Sequence, residues 1–157
     1  MIDPIRRTIT VTCDPATAFR VFTDEMATWW PLDTFSRSVD EGGASVADVV
    51  FDHEAGGEIW EVRSDGERAS WGQVLAWEPP TRLVMAWKPH DRPVGPTEVE
   101  VAFTALEEGG TRVDLEHRGW ERLGDLALEG RESYAGGWPM VFDQRFGNAA
   151  NGATAGR

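Results

Sequence analysis

Cysteine is nearly missing from this sequence, with Cys13 alone among 157 residues. One thiol rules out an intrachain disulfide framework and makes a reducing compartment the default. Lysine is as scarce, with Lys88 the single example, so arginine supplies the rest of the 15 basic residues. Against 27 acidic residues this leaves a net charge of −12. A chain that negative does not bind nucleic acid through phosphate neutralisation, and an anionic membrane surface repels it. No apolar run approaches a membrane span, and the opening MIDPIRRTIT has no apolar signal core. The expectation is a cytoplasmic protein. Catalytic signatures are also wanting. The histidines His53, His90 and His117 lie far apart without metal-ligand spacing, and no HExxH, CxxC, nucleophile elbow, P-loop or dinucleotide fingerprint occurs. No catalytic residue, metal or other cofactor is therefore expected.

Tryptophan is what the chain has in excess. Four of its eight fall between Gly57 and Trp87, at Trp60, Trp71, Trp77 and Trp87. Two turn signals, Ser64-Asp65-Gly66 and Pro79-Pro80-Thr81, divide this stretch into short runs rich in Trp, Val, Leu and Ile, the pattern of an antiparallel meander. Indoles packed so densely on a sheet make a broad apolar surface, and each carries an N–H that needs a partner. The reading is one wall of a ligand pocket.

Around this meander the rest reads as one domain over residues 1–146. Residues 5–13 alternate as a strand, with Ile5, Arg7, Ile9, Val11 and Cys13 on one face. Asp14-Pro15 then caps a helix carrying Phe19, Phe22, Met26 and Trp29, which Pro31 ends. Residues 32–45 read as a loop, 46–53 as a second strand and Glu54 to Gly57 as a turn. Three prolines make 88–96 a loop. Val99, Val101, Phe103 and Ala105, then Val113, Leu115 and His117, form the inner faces of two further strands whose other faces are charged. A sheet wet on one side needs a cover on the other. Leu123, Leu126, Trp138, Val141, Phe142 and Phe146 supply it as a helix, which Pro139 either restarts or kinks. From Gly147 to residue 157 the small polar residues read as a disordered tail.

The order strand, helix, meander, covering helix resembles the α+β helix-grip fold of the START-like (SRPBCC) superfamily, a curved antiparallel sheet wrapped around a long C-terminal helix. Within it the chain is similar to the bacterial AHSA-like family, homologues of the heat-shock-protein-90 ATPase activator. The pieces that match are Asp14-Pro15, Gly56-Gly57, Trp71-Gly72-Gln73-Val74, Glu78 to Val84, Gly110 to Val113, His117-Arg118-Gly119-Trp120 and Gly137-Trp138, covering about residues 5–146. The resemblance implies a pocket between sheet and helix for a small hydrophobic or aromatic molecule. It also implies a cyclase-, aromatase- or hydrolase-like enzyme as one alternative, and a chaperone- or regulator-interacting module tied to stress response as another. Monomer and homodimer both stay open.

The candidate ligand-binding residues follow. Trp60, Trp71, Met85, Trp87, Trp138 and Phe142 are expected as walls, and Trp30 and Trp120 as the mouth. Arg7 is either a rim residue with a packed stem or a charge awaiting an anionic ligand group. His117 is either a satisfied core histidine or a pocket donor. Glu58 and Glu61 lie on opposite faces of one strand, so one points inward, paired with an arginine such as Arg7 or Arg63 or with a raised pKa.

Overall fold

The alternating segments pair into one antiparallel sheet. The computed structural model describes residues 2–90 and 95–153. It contains the strands β1 (Ile5–Val11), β2 (Val46–Phe51), β3 (Glu58–Arg63), β4 (Arg68–Glu78), β5 (Arg82–Trp87), β6 (Thr97–Ala105) and β7 (Thr111–Arg118). Their spatial order is β1-β7-β6-β5-β4-β3-β2, so the meander runs unbroken from β2 to β7 and the first strand closes on the last. Register shifts at Val46/Asp48, Ile59/Trp60 and Val74/Ala76 bend the far half of the sheet. The inner face carries Ile59, Val74, Leu83, Val99, Val101 and Val113, all fully buried. The outer face carries ion pairs, among them Arg118 with Glu98, Glu100 and Glu116.

Between β1 and β2 lie α1 (Pro15–Thr23), α2 (Met26–Trp29) and α3 (Arg37–Glu41). Asp14 caps α1 by accepting from the Thr17 amide at 2.8 Å. The single helix expected through Trp29 is broken at Asp24-Glu25, yet Phe19, Phe22, Met26 and Trp29 all reach the core as the spacing predicts. The loop expected over 32–45 contains α3, which Ser36 caps through the Val39 amide. The readings that fall on 91–94 and 154–157 lie outside the described residues.

The covering segment starts as a 3₁₀ helix (Trp120–Leu126) and continues as α4 (Ala127–Trp138), a π-helical stretch (Pro139–Phe146) and α5 (Gly147–Asn151). Leu126 is exposed rather than part of the apolar stripe. Pro139 is the first residue of the π-helical stretch, as the restart alternative has it, and its backbone stays helical at φ −55° and ψ −42°. It has no N–H, and its ring crowds the carbonyl four residues back, so the turns that follow widen. The Gly147 amide accordingly reaches the Phe142 carbonyl five residues back. Over residues 147–151 the expected disorder gives way to a helix: Gly147 and Ala150 are buried, and the Asn151 side chain accepts from the Thr12 amide at 2.9 Å. Small residues here allow close packing against β1 instead of freeing the chain. The result is the helix-grip architecture. Among the described residues no helix is long and apolar enough to cross a membrane.

Candidate functional site

Between the sheet and the covering helix the interior is filled by rings. Trp30 packs against Trp71, Trp87 and Trp138 at centroid distances of 5.6, 5.4 and 6.1 Å, each tilted or edge-on. Phe22, Trp29 and Phe146 form a second group at 5.2–5.3 Å. Edge-to-face packing of this kind stabilises aromatic clusters beyond simple burial. Trp71, Met85 and Phe142 have no exposed surface and Trp87 has 1%, so these four expected walls are packed into the core.

An open space remains at one end, as a cleft of about 130 Å³ between α4, the residues after α2, α3 and the segment after β5. Its apolar lining is Trp30, Phe35, Pro89, Trp138 and Val141. Ser36, Asp40, His90, Ser133 and Tyr134 add polar groups, and Gly137 leaves one wall flat. A cavity of roughly 150 Å³ takes a benzene ring, so this space accommodates about one ring, with the remainder of a larger ligand at the polar mouth. Of the expected binding residues, Trp30 and Trp138 line it. Tyr134, Gly137, Trp138 and Val141 share one helix face at i, i+3, i+4 and i+7, a signal present in the sequence. Phe35 and Asp40 carried no such signal, because long-range bonds place their segment.

Glu61 makes those bonds. It is the inward member of the Glu58/Glu61 pair and is fully buried. One oxygen accepts from the Arg37 amide at 2.8 Å and from the Trp71 indole at 2.7 Å. The other accepts from the Ser38 amide at 3.0 Å and from Arg63 Nε at 2.8 Å. The carboxylate thus seats the first turn of α3, whose acidic end meets Arg63 again through Glu41 at 2.6 Å. Hydrogen bonds from Arg63 to Glu41 and then Glu61 raise the guanidinium pKa, locking it charged. The expected arginine partner is therefore Arg63 and not Arg7.

Three further expectations are corrected. Arg7 is bound by both carboxylate oxygens of Asp143, ties β1 to the covering helix and does not line the cleft beside Trp30. Trp60 lies on the outer face, where Arg68 sits 4.2 Å over its ring. Period two dictates this once Ile59 and Glu61 point inward. Trp120 is fully buried rather than at a mouth, and it donates to the His117 carbonyl at 3.1 Å.

His117 is the satisfied core histidine. Its Nδ1 accepts from the Trp138 indole at 3.1 Å, and its Nε2 lies 2.6 Å from the Thr97 hydroxyl. Because an indole only donates, Nδ1 is the bare nitrogen and Nε2 carries the proton. Burial pushes the His117 pKa down to about 3, so it is neutral throughout the physiological range. The unfolded chain takes up this proton below about pH 6.5 while the folded protein does not. The stabilising effect is therefore complete above that pH and shrinks as pH falls toward 3. Between pH 6 and 5 stability should drop by about 1.4 kcal/mol per pH unit from this residue. Chemical denaturation across that interval checks it, and in His117→Asn the slope should flatten.

The fold agrees with that of known proteins. Residues 12–146 match the family described as Activator of Hsp90 ATPase homolog 1-like protein. This chain belongs to that family. Within the same fold, Txn09, described as an anthrahydroquino-γ-pyrone synthase complexed with SUM, is 32% identical over 94% of this chain and 97% of its own, with a TM-score of 0.63. CalC from Micromonospora echinospora, described as a self-sacrificing resistance protein, is 28% identical over 99% of this chain and 98% of its own, with a TM-score of 0.70. CV1439 from Chromobacterium violaceum, 17% identical over 97% of this chain and 100% of its own with a TM-score of 0.66, shares the fold alone. No curated protein matches.

Proposed function

We propose that this member of the activator-like family binds a small aromatic molecule in the cleft between α4 and the segment around α3. The observation that carries the reading is the cleft itself, with two indoles and a phenyl ring inside and hydroxyls, a carboxylate and an imidazole at its edge. That composition is the usual one for a small-molecule site, although a volume of about 130 Å³ is below the common range of roughly 300–1,000 Å³. Burial of ligand surface at about 25 cal/mol per Å² supplies the driving force.

Gly137 provides the test. A Cβ built there meets nothing within 4 Å, so a leucine side chain has the cleft to occupy without disturbing the helix. Gly137→Leu should raise stability by about 0.5–1 kcal/mol through helix propensity and weaken 1-naphthol binding, measured by calorimetry, at least about tenfold. Unchanged affinity in the variant, or no binding to the wild-type protein, overturns the reading.

A cyclase-type enzyme is the second reading, favoured by the 32% identity to Txn09, itself described as a synthase. In that reading Asp40, His90 and Tyr134 are the acid-base groups beside the bound ring. Loss of turnover in Asp40→Asn or Tyr134→Phe, with 1-naphthol binding intact, separates it from simple binding. The family description raises a chaperone partner as a further reading, which a pull-down with the chaperone tests.

A further inference from the structure

Six tryptophans of this chain are buried, and five give their indole N–H to an acceptor. Trp29 donates to the Val21 carbonyl at 2.8 Å, Trp30 to the Phe35 carbonyl at 2.6 Å and Trp71 to Glu61 at 2.7 Å. Trp120 and Trp138 donate to the His117 carbonyl and ring, both at 3.1 Å. Trp87 is the exception, with its ring 1% exposed and its Nε1 without a hydrogen-bond partner among the described residues. A buried donor left unmade costs free energy that a well-packed core ordinarily avoids, and its neighbours show that this core otherwise does so.

Its position relates it to the cleft. Trp30 lines the cleft, and its ring also packs against Trp87 at 5.4 Å with the planes at 77°. One ring therefore separates the Trp87 indole from the open space. Trp138, another wall, is fixed within a helix and bonded to His117. Trp30 is held differently: its indole is tied to the Phe35 carbonyl of the segment after α2, where Phe35 is 39% exposed. Four indoles pack on Trp30, but its backbone lies at the end of α2 and its N–H is held from a loop, so it is the indole wall of the cleft not built into a strand or a long helix. A space for about one ring cannot take a fused polycycle unless a wall gives way.

We propose that the Trp87 indole N–H is the deep anchor of the cleft, met by an uncharged acceptor oxygen of a flat polycyclic ligand once Trp30 swings aside. The proposal rests on the cleft-binding reading and specifies its ligand. An indole only donates, so the group it receives is an acceptor such as a ketone or quinone oxygen. The oxygen is uncharged because the site is walled by rings, where a bare anion pays a heavy desolvation cost. The Glu61 carboxylate, bonded to the neighbouring Trp71, repels an anion further.

Fluorenone and fluorene have the same three-ring frame and differ by one carbonyl oxygen, so together they isolate the hydrogen bond. In the wild-type protein fluorenone should bind about tenfold more tightly than fluorene. In ¹⁵N-labelled protein, the Trp87 indole cross-peak should move downfield with fluorenone and not with fluorene. Trp87→Phe identifies that peak by its loss and should bring the preference close to one. Because the ratio is read within each protein, any loss of stability cancels. If Trp87→Phe does not fold, contacts to the Trp30 and Trp71 ring protons assign the peak and the wild-type titrations decide. Equal binding of both probes with an unmoved Trp87 peak overturns the anchor, while blockage of both by Gly137→Leu leaves the cleft reading standing. Failure of both probes to bind the wild-type protein overturns the two together.

Discussion

Glu61→Ala should destabilise the protein by about 3–5 kcal/mol, the cost of leaving one member of a buried ion pair alone. Arg63 would keep Glu41 but lose its inner partner, and the Trp71 indole would lose its acceptor. The Arg37 and Ser38 amides would be left unmade at the start of α3. For a chain of this length the change corresponds to a fall in Tm on the order of 10 °C. Calorimetric melting checks the magnitude, and amide hydrogen exchange checks the cause. Exchange at Arg37 and Ser38 should accelerate far more than exchange in β6 and β7, because α3 buries only Ser38 and has little apolar packing to hold it. A uniform rise across the sheet would mean that Glu61 acts on the whole core and not on this segment. Glu61→Gln should fall between, since it keeps one acceptor oxygen but turns an amide group toward other donors.

Gly72→Ala should be comparably damaging, for a different reason. Gly72 has φ +146°, and a Cβ added to it would lie 1.8 Å from the Ala86 carbonyl oxygen. That atom belongs to the backbone of β5, directly across the ladder where Gly72 pairs with Trp87. No side chain can move to relieve the contact, so β4 and β5 must part. The expected cost is about 4 kcal/mol or more, in the range reserved for broken backbone geometry. Equilibrium unfolding in urea measures it, and a loss under about 1 kcal/mol would show that the strand pair absorbs the methyl group. Trp71 and Trp87 flank this point, so the near-ultraviolet circular dichroism of the variant should change as well.

The strands were legible because most have one wet and one dry face. Val99, Val101 and Phe103 announce that alternation, and so do Val113, Leu115 and His117, each inward in the structure. The four apolar residues from Phe19 to Trp29 likewise reached the core although their helix is broken. The interior was harder to read. Tryptophan count says how much ring surface must be buried, but not whether the rings mesh, and here Trp30, Trp71, Trp87 and Trp138 mesh edge to face. His117 shows a similar limit. Alternation placed it inward, while its two partners come from Thr97 and Trp138, 20 and 21 residues away. The cleft was half visible, since its helical side follows a spacing from Tyr134 to Val141. Its other side depends on where Glu61 draws the chain from Ser36 to Glu41, and nothing local in that polar stretch encodes the attraction.

The widened turns after Pro139 have a geometric effect on the whole covering rod. Trp138, Phe142, Phe146 and Ala150 recur every four residues, and all are buried. At 3.6 residues per turn, such a row would wind away from the sheet by roughly 40° at each step. Looser coiling turns the row back, so it stays aimed at the strands from end to end. Tyr134 and Gly137 sit before that change of pitch and Val141 within it. The coil's tightness at the proline therefore sets the angle between the face that borders the cleft and the face that grips the sheet.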